Sequence, residues 1–272
     1  MSLKAQRAKR QEHAFLVGRP GRSRPSSKRG TFLEFKSLSV VVPAYNEDAR
    51  IDLTLEKLAA HLERDFPAFE IIVIDDGSTD STAEKVRHAA AANDRIALHS
   101  LPRNRGKGFA VRAGMMLAKG DAVLFTDADL STPAEEIDLA LAELRRGFPV
   151  VIASRRHPHS IIARRQSWAR ELVGRGFNKI IRALFSLPFK DTQCGFKCFT
   201  QPAAKAIFAR ATIDTFSFDV EVLIIATALG YPIKEIPVRW TNAPGSKVRP
   251  LHDAATIFHE LISLYRNSAK PA

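Results

Sequence analysis

The segment Ala122-Val-Leu-Phe-Thr-Asp127-Ala128-Asp129-Leu130 constrains this chain more than any other. An apolar, β-favouring run, Val123 to Phe125, leads directly into two carboxylates separated by one residue. The run predicts a buried strand. Asp127 and Asp129 then fall at its carboxyl end, where open α/β sheets place their ligands. Paired carboxylate oxygens suit a hard divalent cation, Mg²⁺ or Mn²⁺, which can take further oxygens from a diphosphate. A solvated turn would look the same in isolation, so the reading depends on the neighbouring segments.

Two other segments repeat the design. Leu38-Ser-Val-Val-Val-Pro43-Ala44-Tyr45-Asn46-Glu47 predicts a strand over Val40–Val42 with Pro43 ending its ladder, and Glu70-Ile-Ile-Val-Ile-Asp75-Asp76-Gly77 a second strand ending in two acids. Between them, Leu53, Leu55, Leu58 and Leu62 recur at helical spacing. Ser81-Thr-Ala-Glu84 has the form of a capping box for the next helix. A short strand over Ile96–His99 precedes a basic glycine turn, Arg103-Asn-Arg-Gly-Lys107-Gly108, and a helix from Phe109 to Ala118. Strands alternating with helices predict an α/β fold with a mostly parallel, doubly wound sheet. Three acidic strand ends at one edge would repel one another unless a cation and a nucleotide were shared among them. The pattern G-x-x-x-x-G-K-[ST] is absent, which argues against a nucleotide held for phosphoryl transfer.

Charge is unevenly distributed. The formal net charge is +12; residues 1–30 contribute +8 and residues 145–182 contribute +9, leaving −5 for the rest. Such patches call for an anionic partner. No aromatic-interleaved RNA-binding strand or helix-turn-helix pattern is present, which favours lipid or phosphate over nucleic acid. Residues 1–30 are Arg-, Ser- and Pro-rich and are expected to form a disordered basic tail, with a transit peptide as the alternative. No apolar run reaches the roughly 18–20 residues that span a bilayer, and no secretory signal is recognisable. The segment Ile161–Phe185 interleaves Trp168, Leu172, Phe177, Ile180 and Leu184 with Arg164, Arg165, Arg170, Arg175, Lys179 and Arg182. A basic amphipathic helix of this kind can lie in a membrane interface, or its apolar face can pack on the sheet. Two cysteines, Cys194 and Cys198, suit a reducing compartment and are too few for a thiolate zinc site.

The motifs Val-Val-Pro-Ala-Tyr-Asn-Glu, Asp-Asp-Gly-Ser-Thr-Asp, Asn-Arg-Gly-Lys-Gly and Asp-Ala-Asp-Leu occur in the order and spacing of the family-2 glycosyltransferases of GT-A fold, which the chain resembles from about Leu38 to Val248. The resemblance implies an inverting transfer from a nucleotide-diphospho-sugar assisted by Mg²⁺ or Mn²⁺. It implies that Pro43, Ala44, Tyr45 and Glu47 line a uridine or guanine pocket. Asp76 would contact the nucleoside with Asp75 in support, and Lys107 would lie near the diphosphate. Asp127 would contact the nucleotide-sugar, and Asp129 would be the main metal ligand. Where the mannose synthases of the family often have a glutamine, this chain has Ser131, which leaves a third protein ligand unassigned.

Asp191-Thr-Gln-Cys-Gly-Phe-Lys197, Phe218-Asp-Val-Glu221 and Trp240…Gly245-Ser-Lys247-Val248 resemble dolichyl-phosphate β-glucosyltransferases. That implies UDP-glucose as donor, a polyprenyl or dolichyl phosphate as acceptor, and acceptor contacts from Gln193, Cys194 and Lys247. GDP-mannose as donor and a soluble hydroxyl as acceptor remain alternatives, as does a non-catalytic basic adaptor for membrane or nucleic acid on the same fold. The Gln-x-x-Arg-Trp signature of processive synthases is absent, since Ile236 occupies the glutamine place. Arg155, after the apolar run Val150–Ile152, is a candidate for the acceptor phosphate, because Arg pairs bidentately with phosphate. Asp219 or Glu221 could act as a base for a hydroxyl acceptor or hold a cation. The expected organisation is a GT-A domain over 36–250, divided into a nucleotide-sugar half (36–132) and an acceptor half (133–250), followed by a C-terminal helix and tail (251–272). Membrane attachment is expected to be peripheral, on the cytoplasmic side.

Overall fold

The computed structural model describes residues 33–164, 168–243, 260 and 264. The predicted basic tail, Lys247 and nearly all of the predicted C-terminal segment lie outside the described residues.

The elements alternate as the sequence requires. They are β1 (Ser37–Ala44), α1 (Ile51–Asp65), β2 (Ala68–Asp75), α2 (Thr82–Ala92), β3 (Ile96–Ser100), α3 (Lys107–Leu117), β4 (Ala122–Thr126), α4 (Glu136–Arg145) and β5 (Val150–Ser154). The second half adds β6 (Ile161–Arg164), α5 (Trp168–Phe185), β7 (Phe196–Thr200), α6 (Gln201–Phe208), α7 (Phe218–Ala228), β8 (Ile233–Pro237) and β9 (Arg239–Thr241). Seven strands form one sheet in the order β3-β2-β1-β4-β7-β5-β8, and β6 pairs with β9 in a two-stranded ribbon.

The sheet is mostly parallel, as expected, with one exception. β7 runs antiparallel between β4 and β5, pairing Phe125 with Lys197 and Ile152 with Lys197. The central strands are buried on both faces. Val40 and Val42 pack into one apolar cluster with Leu55, Leu58, Leu62, Ile137 and Leu141, while Val41 packs into a second with Val111, Phe125, Phe208 and Leu223. This explains why the strands read as continuous apolar runs, the mark of a sheet covered by helices on both sides.

Several local expectations are corrected. Pro43 does not end β1, which continues to Ala44 opposite Asp75; parallel pairing to β2 tolerates the missing donor there. Leu53 is exposed, so α1 buries Ile51, Leu55, Leu58 and Leu62 instead. The capping box does not form: Ser81 makes no cap bond, and Asp80 Oδ1 accepts from Thr82 N at 2.9 Å and Thr82 Oγ1 at 2.5 Å. Asp80 wins because it also accepts from Asp48 N at 3.2 Å, which ties the helix start to the β1 turn. The predicted amphipathic helix begins only at Trp168, because Ile161–Arg164 form a strand against β9.

Candidate active site

The parallel strands β2, β1 and β4 end side by side, so their acidic ends share one edge. The turns after β1 and β2 are bound to each other. Asn46 adopts φ 53°, a left-handed conformation that Asn tolerates better than most residues, and its Oδ1 accepts from Thr79 N at 2.8 Å. Asn46 N donates to Ser78 Oγ at 2.9 Å and Glu47 N to Thr82 Oγ1 at 2.8 Å. Asp75 and Asp76 are buried. Asp75 Oδ1 accepts from Ser78 N at 3.1 Å and so shapes its own turn. Asp76 accepts from Arg105 N at 2.7 Å and Gly106 N at 2.9 Å, joining the basic glycine turn to this edge. Burial pushes the Asp76 carboxyl above its ordinary value despite those two donors. Pro43, Tyr45 and Glu47 are half-buried beside them, and Ala44 is buried.

Gly106 positions Lys107. It has φ +105°, and a Cβ there would lie 2.4 Å from the Asp214 carbonyl, so only glycine permits the approach. Lys107 opens α3, and its Nζ lies 2.5 Å from Asp127 Oδ1. Burial opposes its charge, but the carboxylates of Asp127 and Asp219 outweigh that and hold the ammonium above its ordinary value. Asp127 and Asp129 are half-buried on the turn after β4. Ser131 N donates to Asp129 Oδ1 at 2.8 Å, and the turn is completed by Leu130 at φ 44°, a strained conformation for leucine.

The antiparallel strand brings its own beginning to this edge. Thr126 pairs with Phe196, which sets Gly195 against Asp127. A Cβ on Gly195 would fall 2.1 Å from Asp127 Oδ2, so the carboxylate rests on bare backbone. Lys197, wholly buried on β7, donates to the Cys194 carbonyl at 2.8 Å and forms an ion pair with Asp219 Oδ1. Burial pushes the Asp219 carboxyl upward against the pull of Lys197 and Lys107.

Arg155 follows β5 at the same edge. Its Nε and Nη2 donate to the two Asp191 oxygens at 2.7 and 2.9 Å, and its backbone N donates to Oδ2 at 3.0 Å. Asp191 is buried; burial opposes its charge, but the Arg155 guanidinium overrides that and holds the carboxyl at about 2. Arg155 is raised in turn, and it lies 5.6 Å from the Trp240 ring.

The predicted residues therefore divide. Asp75, Asp76, Lys107, Asp127 and Asp129 converge on one edge, and Arg155 joins them already matched by Asp191. Gln193 is half-buried, and its backbone N donates to Asp191 Oδ1 at 3.2 Å. The Cys194 thiol lies in the core, where burial raises it to about 12. Glu221 accepts from Thr212 N, Thr212 Oγ1 and Ile213 N at 2.8–2.9 Å, so it holds the loop before α7. In the sequence, Asp191, Gly195 and Lys197 stand out only as parts of a motif. A lysine amid the apolar residues of a strand is a signal that spacing alone does not decode.

The acid pair fits a divalent cation. Both groups offer carboxylate oxygens, the donors that Mg²⁺ and Mn²⁺ prefer, and both are partly open to solvent. Among the described residues, His61, Asp65 and Asp138 also come within metal-binding reach of one another. Asp65 is there taken by Arg64 at 2.7 Å, which leaves that grouping matched.

The chain is 37% identical over 229 residues to dolichyl-phosphate beta-glucosyltransferase of Homo sapiens, covering 79% of this chain and 70% of that one. It is 36% identical to the Dictyostelium discoideum protein of that name, covering 84% and 73%, and 32% identical to that of Saccharomyces cerevisiae, covering 86% and 78%. Among solved structures it resembles glucosyl-3-phosphoglycerate synthase from Mycobacterium tuberculosis in complex with Mn²⁺, UDP and glucosyl-3-phosphoglycerate, with TM-score 0.64 and 21% identity over 87% of this chain and 81% of that one. That likeness establishes the fold, a GT-A arrangement. The model of glycosyl transferase family 2 matches residues 39–208, which include most of β1, the acid pair and β7, and the chain is a member of that family.

Proposed function

We propose that this protein transfers glucose from UDP-glucose to a dolichyl or other polyprenyl phosphate, with inversion, at a membrane surface. The observation that carries the reading is the convergence of Asp76, Asp127 and Lys107 with Arg155 on one sheet edge, in a chain 37% identical to a dolichyl-phosphate beta-glucosyltransferase. In this reading residues 36–132 form the nucleotide-sugar half and 133–250 the acceptor half.

Asp76, with Pro43, Ala44, Tyr45 and Glu47, holds the nucleoside between the β1 and β2 turns. Asp127 and Asp129 hold Mg²⁺ or Mn²⁺, which when bound neutralises charge on the diphosphate leaving group. Lys107 adds a fixed cation on the same side, placed before the reaction begins. The acceptor phosphate is already an anion near neutral pH, so it needs alignment rather than a base. Its oxygen attacks the anomeric carbon as the bond to the diphosphate breaks on the opposite face. Arg155, made rigid by Asp191, and the neighbouring Gln193–Cys194 turn form the acceptor side.

A lipid acceptor brings the protein to a membrane. Among the described residues no helix is long and apolar enough to cross one. The α5 helix buries Asn178 and Ile181 and exposes Trp168, Leu172, Ile180 and Leu184, four residues apart apart from the gap at Gly176. Arg175, Lys179 and Arg182 are exposed among them. Apolar insertion and attraction to anionic headgroups can act together on such a face. We place this face against the cytoplasmic leaflet, as a peripheral attachment.

The test is a transfer assay with UDP-glucose or GDP-mannose, Mn²⁺ or Mg²⁺, and a short polyprenyl phosphate. Glucosyl-phosphate lipid formed from UDP-glucose is the expected product. Product from GDP-mannose alone would move the donor assignment, and the absence of any lipid product would overturn the reading.

A further inference from the structure

Lys197 is an expensive residue in its position. It sits on β7, paired with Phe125 on one side and Ile152 on the other, and it has no exposed surface. Its Nζ lies 5.4 Å from the Phe125 ring centre. A buried ion pair of this kind is often no more stabilising than apolar side chains of the same volume. Fold stability is thus a poor reason for an ammonium there.

Its partners suggest another reason. The Cys194 carbonyl, 2.8 Å from Nζ, immediately precedes Gly195, the residue whose backbone seats Asp127. Asp219, the ion-pair partner, lies in the first turn of α7 next to Phe218. Lys107 Nζ lies 6.0 Å from the Phe218 ring centre and 2.5 Å from Asp127. One buried ammonium therefore ties together the two segments that flank the Asp127 carboxylate, one through Gly195 and the other through the Lys107 side.

We propose that Lys197 is a positioning residue for the donor site: it clamps the Cys194–Gly195 turn to the start of α7 and so fixes Asp127 where it meets metal and diphosphate. The lysine touches neither substrate nor metal. A side chain rooted near the start of a strand reaches both a backbone carbonyl and a carboxylate only if it is long and multivalent as a donor, which Lys is and Met is not. The inference rests on the reading of Asp127 as part of a metal–nucleotide site.

The experiment compares wild type, Lys197→Met and the double variant Lys197→Met/Asp219→Asn by melting temperature and by calorimetric titration with UDP in the presence of Mn²⁺. The single variant leaves a buried carboxylate without its partner and is expected to melt lower. The double variant removes that uncompensated charge and is expected to recover most of the melting temperature. It is nevertheless expected to bind UDP about tenfold more weakly than wild type, because the turn under Asp127 is no longer held. UDP affinity within twofold of wild type in the double variant would make the pair merely structural and overturn the clamp. Failure of wild type itself to bind UDP with Mn²⁺ would instead remove the donor-site reading, and the clamp with it.

Discussion

At the scale of single residues the site depends on close contacts more than on unusual chemistry. Gly195 is the clearest case. An alanine there would push its Cβ to 2.1 Å from Asp127 Oδ2, so either the β7 turn or the carboxylate must move. Gly195→Ala is expected to weaken Mn²⁺-dependent UDP binding by at least tenfold while the far-UV spectrum stays that of wild type; unchanged affinity would show that Asp127 is not seated by this contact. Asp129 sits on a half-exposed turn outside the core, so Asp129→Ala is expected to lose nearly all transfer and little melting temperature. Activity within a few-fold of wild type would remove Asp129 from the metal site. The Gly195 constraint was not legible from sequence, because it is a contact between the ends of two strands, whereas the acid pair itself was legible from its place after an apolar run.

At the scale of elements, α5 divides its faces in a way that charge counting alone did not show. The inward face carries Asn178, whose Nδ2 donates to Thr192 Oγ1 at 3.2 Å, so the helix packs on the loop that holds Asp191. The outward face carries Trp168, 79% exposed, and the helix also exposes Arg175, Lys179 and Arg182. Packing thus uses one face of the helix and leaves the other exposed, the face proposed to meet the membrane. Replacing Arg175, Lys179 and Arg182 by Glu reverses three charges where each basic residue near an anionic surface contributes about 1 kcal/mol. Binding to vesicles rich in anionic lipid is expected to fall by more than tenfold and to be salt-sensitive in wild type, whereas UDP affinity is expected to be unchanged. Vesicle sedimentation checks the first and calorimetry the second; undiminished sedimentation would mean that another surface meets the membrane.

At the scale of the whole molecule, stability is linked to pH and to ligand through groups already named. Asp191 has its folded value depressed to about 2 by Arg155, below its ordinary 3.8. The stabilisation is therefore complete above about pH 4 and is lost as pH falls through that value towards 2, an effect of about 2 kcal/mol. Asp191→Asn is expected to lower stability near neutral pH and to flatten the decline between pH 4 and pH 2, as followed by urea unfolding at each pH. Ligand linkage is expected to favour UDP over GDP: with Mn²⁺, UDP should raise the melting temperature more, since a ligand of the native state stabilises it by mass action. Equal or reversed shifts would favour a guanine nucleotide donor.

Strands β1 to β5, the acids that follow β1, β2 and β4, the alternation behind a mostly parallel sheet and the motifs that mark the family can all be read from the chain alone. These are legible because periodicity, turn residues and carboxylates at strand ends are local features. The entry of β7 antiparallel between β4 and β5, which carries Gly195 and Lys197 to the edge where the parallel strands end, comes from long-range packing. So do the pairings of Arg155 with Asp191, 36 residues away, and of Lys197 with Asp219, 22 away. The physical reason is that a charge in an apolar sheet is tolerable only beside its counter-charge, and strand order, which no local pattern encodes, determines which counter-charge lies within reach.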